Sequence, residues 1–396
     1  MLTLWLKLQL LLAVSSALAD PCKITLPTDV ANPQPVIVTQ EGLLRPTNAV
    51  TEIAENDKIT LHCAGKGNML VALSEQTAKL ECQSGSFYDE ETGKEFALNK
   101  LNCTHIPTAE VLVTEIACAN GTGLLHEVGF AVNDEFQSLF TICYNRENVQ
   151  TLYSRNLLNG RGLDVKIIDS TRRSFRAEGM RFTTTAINNL YTTKNQIARF
   201  KTLFGADQAY VNRTSFLARG HLTPDADFIF TYEQLATYFY INCAPEWQVV
   251  NAGNWLRVEN LARKLASSLG SDLLTFTSTL GKLELENSKS GDSEAIYLDK
   301  TELISAPQWY YKVLMHPELP VDLVIITLND PFANVDKTVE FCTNVCDKYG
   351  LADSSVFQVA SHGYTFCCEL NDFWENAMDT DTPYYDLPEG WSYKSN

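Results

Sequence analysis

Two stretches of the chain decide its reading: Phe216-Leu217-Ala218-Arg219-Gly220-His221-Leu222-Thr223-Pro224-Asp225-Ala226-Asp227-Phe228, and Asn242-Cys243-Ala244-Pro245-Glu246-Trp247-Gln248-Val249-Val250-Asn251-Ala252-Gly253-Asn254-Trp255. The second runs into a helical pattern from about Asn254 to Leu269, in which Trp255, Val258, Ala262, Leu265 and Leu269 recur at three- and four-residue spacing. Gly270 is a natural stop just past its end. Together the segments hold the parts that phosphodiester hydrolysis requires: a base, a cation for the added negative charge, and a proton for the leaving oxygen. An imidazole ordinarily titrates near working pH, which suits His221 to the role of base. Arg219 offers a planar, permanent charge matched to phosphate oxygens. Asn251 can give a carbonyl oxygen to a hard divalent cation. On one uninterrupted helix, Glu259 and Arg263 would stand roughly 80° and 120° around the axis from Asn251, at about 100° per residue. Glu259 could then hold water on the metal and Arg263 a phosphate. Each feature also has an ordinary meaning taken alone, as a helix cap at Asn251 or a surface ion pair at Glu259 and Arg263.

The surrounding texture is α+β. From about Phe136 the chain holds strand-like runs at Leu139 to Tyr144 and Val149 to Leu158, and a nearly continuous apolar strand at Val321 to Leu328. Residues 20–135 read instead as a small β lobe, with short extended runs at 24–26, 35–39, 58–63 and 111–118 separated by Pro, Asn and Gly. The tail from Tyr384 to Asn396 reads as peripheral. The chain thus divides into 1–19, 20–135 and 136–396.

The first 19 residues read as an export signal: Lys7, an apolar run from Leu8 to Val14, and Ala17-Leu18-Ala19 at the cleavage positions. The run is too short for a membrane span. Eleven cysteines, all beyond Ala19, agree with an oxidising compartment. Six lie between Cys22 and Cys143, four form Cys342-x-x-x-Cys346 and Cys367-Cys368, and Cys243 stands alone; the odd count leaves a thiol unpaired. Bridges are favoured over a zinc site in the late cluster, and pairing cannot be read from spacing. Asn102, Asn120 and Asn212 head Asn-x-Thr sequons, acceptors for N-linked glycan. The net charge of −17 argues against a protein that holds nucleic acid by phosphate neutralisation alone. It leaves room for an enzyme whose positive charge is local and completed by a metal ion.

The two segments resemble the DNA/RNA non-specific endonuclease family, the ββα-metal nucleases that include mitochondrial endonuclease G and secreted bacterial nucleases. The signature of that family is Asp-Arg-Gly-His, then Asn-x-x-Pro-Gln, an Asn five residues after the Gln, and Trp and Glu in the following helix. Arg219, Gly220, His221, Asn242, Pro245, Asn251, Trp255, Glu259 and Arg263 match at those offsets. The resemblance runs more loosely from about Phe136 to Pro331, and the cysteine-bearing lobe is most like secreted arthropod members. It implies a central antiparallel sheet with flanking helices behind a disulfide-rich β lobe. It also implies an endonuclease acting on DNA and RNA with little sequence preference. In that scheme His221 activates water and Asn251 alone ligates a magnesium ion, for which manganese could substitute. Glu259 acts behind the metal, Arg219 stabilises the phosphate, Arg263 helps to position it, and Asn242 and Glu246 support the substrate site. The chain departs from the signature at Ala218, in place of Asp, and Glu246, in place of Gln. The second substitution would set a carboxylate near the phosphate. Both leave open a nucleic-acid-binding secreted protein with low or no turnover. A structural secreted protein and a hydrolase built on Cys243 are the remaining readings.

Overall fold

The computed structural model describes residues 20–168, 173–316, 318–319, 321–335, 340–351 and 354–377. The expected export signal and the 384–396 tail lie outside them. The amino-terminal lobe is a six-stranded antiparallel sheet, in the order 42–43, 36–39, 58–62, 77–83, 86–89 and 95–96. Beside it Cys22–Thr25 pairs with Val50–Ile53. Strand Thr77–Gln83 alternates buried and exposed residues, the signature of a sheet with one face on a core. Disulfides Cys22–Cys82 and Cys63–Cys103 staple this lobe.

The larger body is an eight-stranded antiparallel sheet. In chain order its strands are β1 (Glu110–Cys118), β2 (Gly123–Val132), β3 (Glu135–Asn145), β4 (Gln150–Leu158), β7 (Leu273–Leu280), β8 (Trp309–Met315), β9 (Asp322–Leu328) and β10 (Thr365–Glu369). In space β1 lies at one edge and β10 at the other, in that same order. Strands β5 (Leu217–His221) and β6 (Cys243–Trp247) form a separate antiparallel pair. Helices α1 (Thr184–Leu190), α2 (Thr193–Phe204) and α3 (Leu256–Leu269) pack on this framework. The division expected at residue 136 falls inside the β2–β3 hairpin. The sheet begins at Glu110, because β1 pairs with β2 rather than with the amino-terminal lobe.

Every residue of β8 is buried, and its neighbours separate by period two onto the two faces. Tyr310 and Leu314, with Leu323 and Ile325 of β9, join the core shared with α3. Trp309, Tyr311, Val313 and Met315, with Val324, Ile326 and Leu328, join a second core on the opposite face. A strand covered on both sides has no solvent face to make polar, so β8 and β9 read as continuous apolar runs. The exception is Lys312. Cys118–Cys143 ties the end of β1 to β3, while Cys342–Cys368 and Cys346–Cys367 anchor the preceding loop to β10. The late cysteines are therefore consumed in bridges and form no zinc site. Cys243 is the free cysteine among the described residues, and it is buried.

Helix α3 ends at Gly270, left-handed at φ 57°, whose N–H donates to the carbonyl of Ala266. Its start departs from the expectation of one continuous helix. Asn251 belongs to a short helical turn after β6, and Gly253 (φ −98°, ψ −118°) breaks the path before α3 begins. A Cβ on Gly253 would stand 2.7 Å from the carbonyl oxygen of His362, so a side chain there has no room. The angular offsets from Asn251 to Glu259 and Arg263 consequently do not follow from helix geometry.

Candidate active site

Strand β5 carries Arg219 and His221 on either side of Gly220, and β6 backs it in register: Arg219 opposes Pro245, Gly220 opposes Ala244 and His221 opposes Cys243. From Trp247 the chain turns through Asn251 and returns as α3, which brings Glu259 and Arg263 toward the segment that follows His221. The sheet beneath contributes β8. The site is thus assembled from an antiparallel strand pair, the helix that follows it closely, and a sheet strand, β8, further along the chain.

Arg219 is held by neutral groups. Its Nε donates to the Tyr240 hydroxyl at 3.0 Å and an Nη to Asn188 Oδ1 at 2.6 Å. Its guanidinium lies 4.9 Å from the ring centre of Tyr191, 5.4 Å from Tyr240 and 5.7 Å from Phe175. Among the described residues it makes no ion pair. Its charge is oriented but not neutralised, which is the state an anion-binding group needs. The His221 ring is half-buried between Phe175 (4.9 Å) and Tyr238 (5.1 Å, edge-on), which restricts its rotation. Tyr238 in turn donates to Asp225 Oδ2 at 2.8 Å.

Asn242 is fully buried and fully used. Its carbonyl accepts from Thr223 N at 3.0 Å, and its amide donates to the backbone oxygens of Thr223 (2.8 Å) and Thr237 (3.0 Å). It clamps the turn that follows His221. Glu246 has no exposed surface either. It lies under Gly220, where a Cβ would meet Glu246 Oε2 at 2.3 Å and the Tyr310 hydroxyl at 2.8 Å. Glycine at 220 is a packing requirement, and the Glu246 carboxyl is sealed beneath the strand. Burial, reinforced by the neighbouring Glu259, raises its pKa well above the usual range.

Arg263 is committed to acids. Nη1 donates to Asp227 Oδ1 at 2.8 Å, Nη2 to Asn260 Oδ1 at 2.9 Å, and Glu259 Oε2 stands 3.9 Å away. Glu259 is 8% exposed; burial pushes its pKa up to about 8 against the pull of Arg263 and Lys312. Lys312, with no exposed surface, reaches this cluster from β8 and donates to Thr277 Oγ1 and, at 3.5 Å, to the Leu222 carbonyl. Burial lowers its pKa, while Asp227 and Glu259 resist that shift. Asn156 completes the layer. Its amide donates to Asp227 Oδ2 at 3.4 Å, and its carbonyl accepts from Thr223 and Thr275. Asn251 is half-exposed, and its side chain engages none of these groups.

Sequence reasoning missed Asn188, Tyr240, Asp227, Lys312 and Asn156. Lys312 had a visible signal, a charge in the middle of Trp-Tyr-Tyr-Lys-Val-Leu-Met, since a lysine in a buried strand demands acidic partners. The others are ordinary residues made important only by where the chain brings them. Of the three sequon residues, Asn120 and Asn212 are exposed, and Asn102 is half-buried beside the bridged Cys103.

This geometry meets a direct sequence correspondence. The model of the DNA/RNA non-specific endonuclease family matches residues 121–373. The chain belongs to that family. It is 31% identical over 380 residues to salivary protein Tsal1 of Glossina morsitans morsitans, covering 93% of this chain and 92% of that protein. A salivary endonuclease of Lutzomyia longipalpis is 32% identical over 372 residues, covering 91% of this chain and 84% of the relative. A salivary endonuclease of Culex quinquefasciatus is 25% identical over 286 residues, 69% and 71% of the two chains. The family match takes in β2 through β10 and every candidate active-site residue, and it begins before the expected boundary at 136, in the same sense as the sheet.

Proposed function

We propose that the protein is a secreted, divalent-metal-dependent endonuclease that cleaves DNA and RNA with little sequence preference. The observation that carries this reading is the pairing of an oriented, un-neutralised Arg219 with a packed, half-buried His221 two residues away on β5. His221 takes the proton of the attacking water. Arg219 receives the phosphate oxygens on which negative charge accumulates. Arg263, already engaged by Asp227, positions the wall of the site rather than presenting a free cation. Contacts of this kind address phosphate and not base edges, hence the weak sequence preference.

Asn251 fits a metal-holding role. No group of three His, Cys, Asp or Glu suited to a metal occurs among the described residues. A cation here would be held by one neutral amide oxygen and by water, with Glu259 acting through that water. Magnesium tolerates such a donor set because it keeps its waters, and manganese is an acceptable substitute. When bound, the ion supplies Lewis-acid stabilisation of the phosphate and the leaving oxygen. Secretion is supported by five disulfides, by salivary relatives, and by the export signal read in residues 1–19. No helix among the described residues is long and apolar enough to cross a membrane.

Plasmid nicking in magnesium, with and without EDTA, tests the reading. Wild type cuts only without chelator; His221→Ala lowers the rate by about 10²–10⁴-fold. Asn251→Ala raises the metal concentration needed for half-maximal rate and lowers activity with it. Equal rates for Asn251→Ala and wild type would remove the metal assignment. Tight oligonucleotide binding by a wild type that never cuts would replace the enzyme with a nucleic-acid-binding protein on the nuclease scaffold.

A further inference from the structure

Apart from the candidate active site, an open groove of about 920 Å³ lies where the start of β2 and the β3–β4 turn face the segment Gly179–Arg181. Its lining mixes apolar and charged groups. Val113 and Leu124 are 50% and 41% exposed, and Met180 lines the groove with them. Arg146 and Arg181 line it too, with Glu147 as the acid among them. Arg181 donates to the Glu147 backbone oxygen at 3.1 Å, a neutral partner, and neither arginine forms an ion pair among the described residues. In a chain of net charge −17, a concave surface with two unneutralised arginines is a local exception.

The groove's floor is polar and incompletely satisfied. Tyr144 Oη and His126 Nε2, each on a residue only 2% exposed, have no hydrogen-bond partner among the described residues. Gly179 (φ 80°) closes over the His126 ring, with 3.1 Å between its Cβ position and His126 Cδ2. The same segment leads back to His221 and Arg219. Phe175 packs on His221 and Arg219, Arg176 lies 4.2 Å from the Phe239 ring centre, and the chain then enters the groove at Gly179. Six residues separate Phe175 from Arg181, at most about 20 Å of extended chain. That is within the reach of a short stretch of nucleic acid, at about 3.4 Å per nucleotide along a strand.

We propose that this groove is a second nucleic-acid subsite, which holds a nucleotide of the strand away from the bond being cut. Arg146 and Arg181 engage its phosphate, and its base lies against Val113, Leu124 and Met180. The assignment rests on the nuclease reading and extends it to a part of the surface that no catalytic residue touches. The subsite contributes to holding a polymer and nothing to the chemistry of a diester too small to span both places.

The test compares wild type with an Arg146→Ala, Arg181→Ala double variant and with the double lysine variant. Anisotropy of a labelled 20-nucleotide strand in EDTA, across a salt series, reads binding. Cleavage of plasmid, and of thymidine 5′-(p-nitrophenyl phosphate) as the small diester, reads catalysis. Because Asn120, an exposed sequon residue, immediately precedes Gly121 of the groove's lining, each protein is also made with Asn120→Gln. The alanine variant should bind about 10-fold more weakly, with a salt slope shallower by about 0.7, the share of one phosphate contact on a single strand. Its KM for plasmid should rise by a similar factor, with kcat and small-diester turnover unchanged, and lysine should restore most of the slope. Unchanged binding and slope in both glycan backgrounds would overturn the subsite, as would an equal loss on the small diester. A wild type that neither binds the strand nor cuts either substrate would bring down the nuclease reading and this proposal together. An active wild type indistinguishable from the double variant would remove the subsite alone.

Discussion

Glu246 offers two carboxyl oxygens to an interior that returns no hydrogen bond to either among the described residues. An ionised carboxylate in that position would be far too costly, so the native protein keeps it protonated, as a neutral group close in shape to an amide. The linkage follows. The native state holds this proton to a higher pH than the unfolded chain does, so stability falls as pH climbs above the ordinary carboxylate range, and continues to fall until the native group ionises. Glu246→Gln removes that dependence. Urea unfolding at pH 5.5 and 8.5 should show the variant more stable by about 1–3 kcal/mol at the higher pH and less distinct at the lower. Nicking activity at neutral pH should be retained. A variant no more stable than wild type at pH 8.5 would show that the carboxyl is solvated or paired. The sequence shows only an acid where the resembled signature has glutamine. A carboxylate beside the phosphate was a fair expectation, but burial under Gly220 is a tertiary fact that spacing does not carry.

Among the elements, α3 was legible because its apolar stripe and its glycine stop are local signals. β9 was legible because a strand buried on both faces leaves an unbroken apolar run. Neither α1 nor β7 was anticipated. α1 is a seven-residue helix with one buried side chain, and β7 alternates small hydroxyls with apolar residues without a clear period. The break at Gly253 also escaped, since the constraint comes from His362, more than a hundred residues on. What joins these elements into a site is Lys312, whose ammonium on β8 lies among Asp227 and Glu259 and across the face of Trp255 at 5.9 Å. Removing one partner of a buried charge cluster leaves the others uncompensated, even with Arg263 beside them. Lys312→Met, similar in length, should cost about 3 kcal/mol in chemical denaturation. It should also push Glu259 further above its raised pKa and reduce nicking in proportion. Full stability in that variant would mean the acids are balanced by Arg263 alone.

The whole molecule behaves as one unit in its packing. One hydrophobic core runs without interruption from Cys22 in the amino-terminal lobe to Cys367 on β10. Polar contacts cross the junction as well: Thr231 N donates to Gln34 Oε1 at 3.0 Å, Asn159 to the Pro46 carbonyl at 2.8 Å, and Arg45 pairs with Asp272 at 2.8 Å. The disulfides staple each lobe separately and none of them joins the two. If the shared core governs, heat unfolds both lobes in one transition, with calorimetric and van't Hoff enthalpies equal. Glu233 gives a handle on that junction. Its carboxyl, 5% exposed, accepts from Ile229 N and Phe230 N, yet burial outweighs those bonds and raises its pKa from 4.5 to about 7. Between those values the native state binds a proton that the unfolded chain has released, so stability declines as pH rises from 4.5 to 7 and levels off beyond. The decline owed to this group is at most about 3 kcal/mol. Glu233→Gln, which keeps an acceptor for both amides, should flatten that part of the profile. The flattening should move the single heat peak as a whole. Were the peak instead to split, with only one component responding to the substitution, the two lobes would be separate folding units and the continuous core would not couple them.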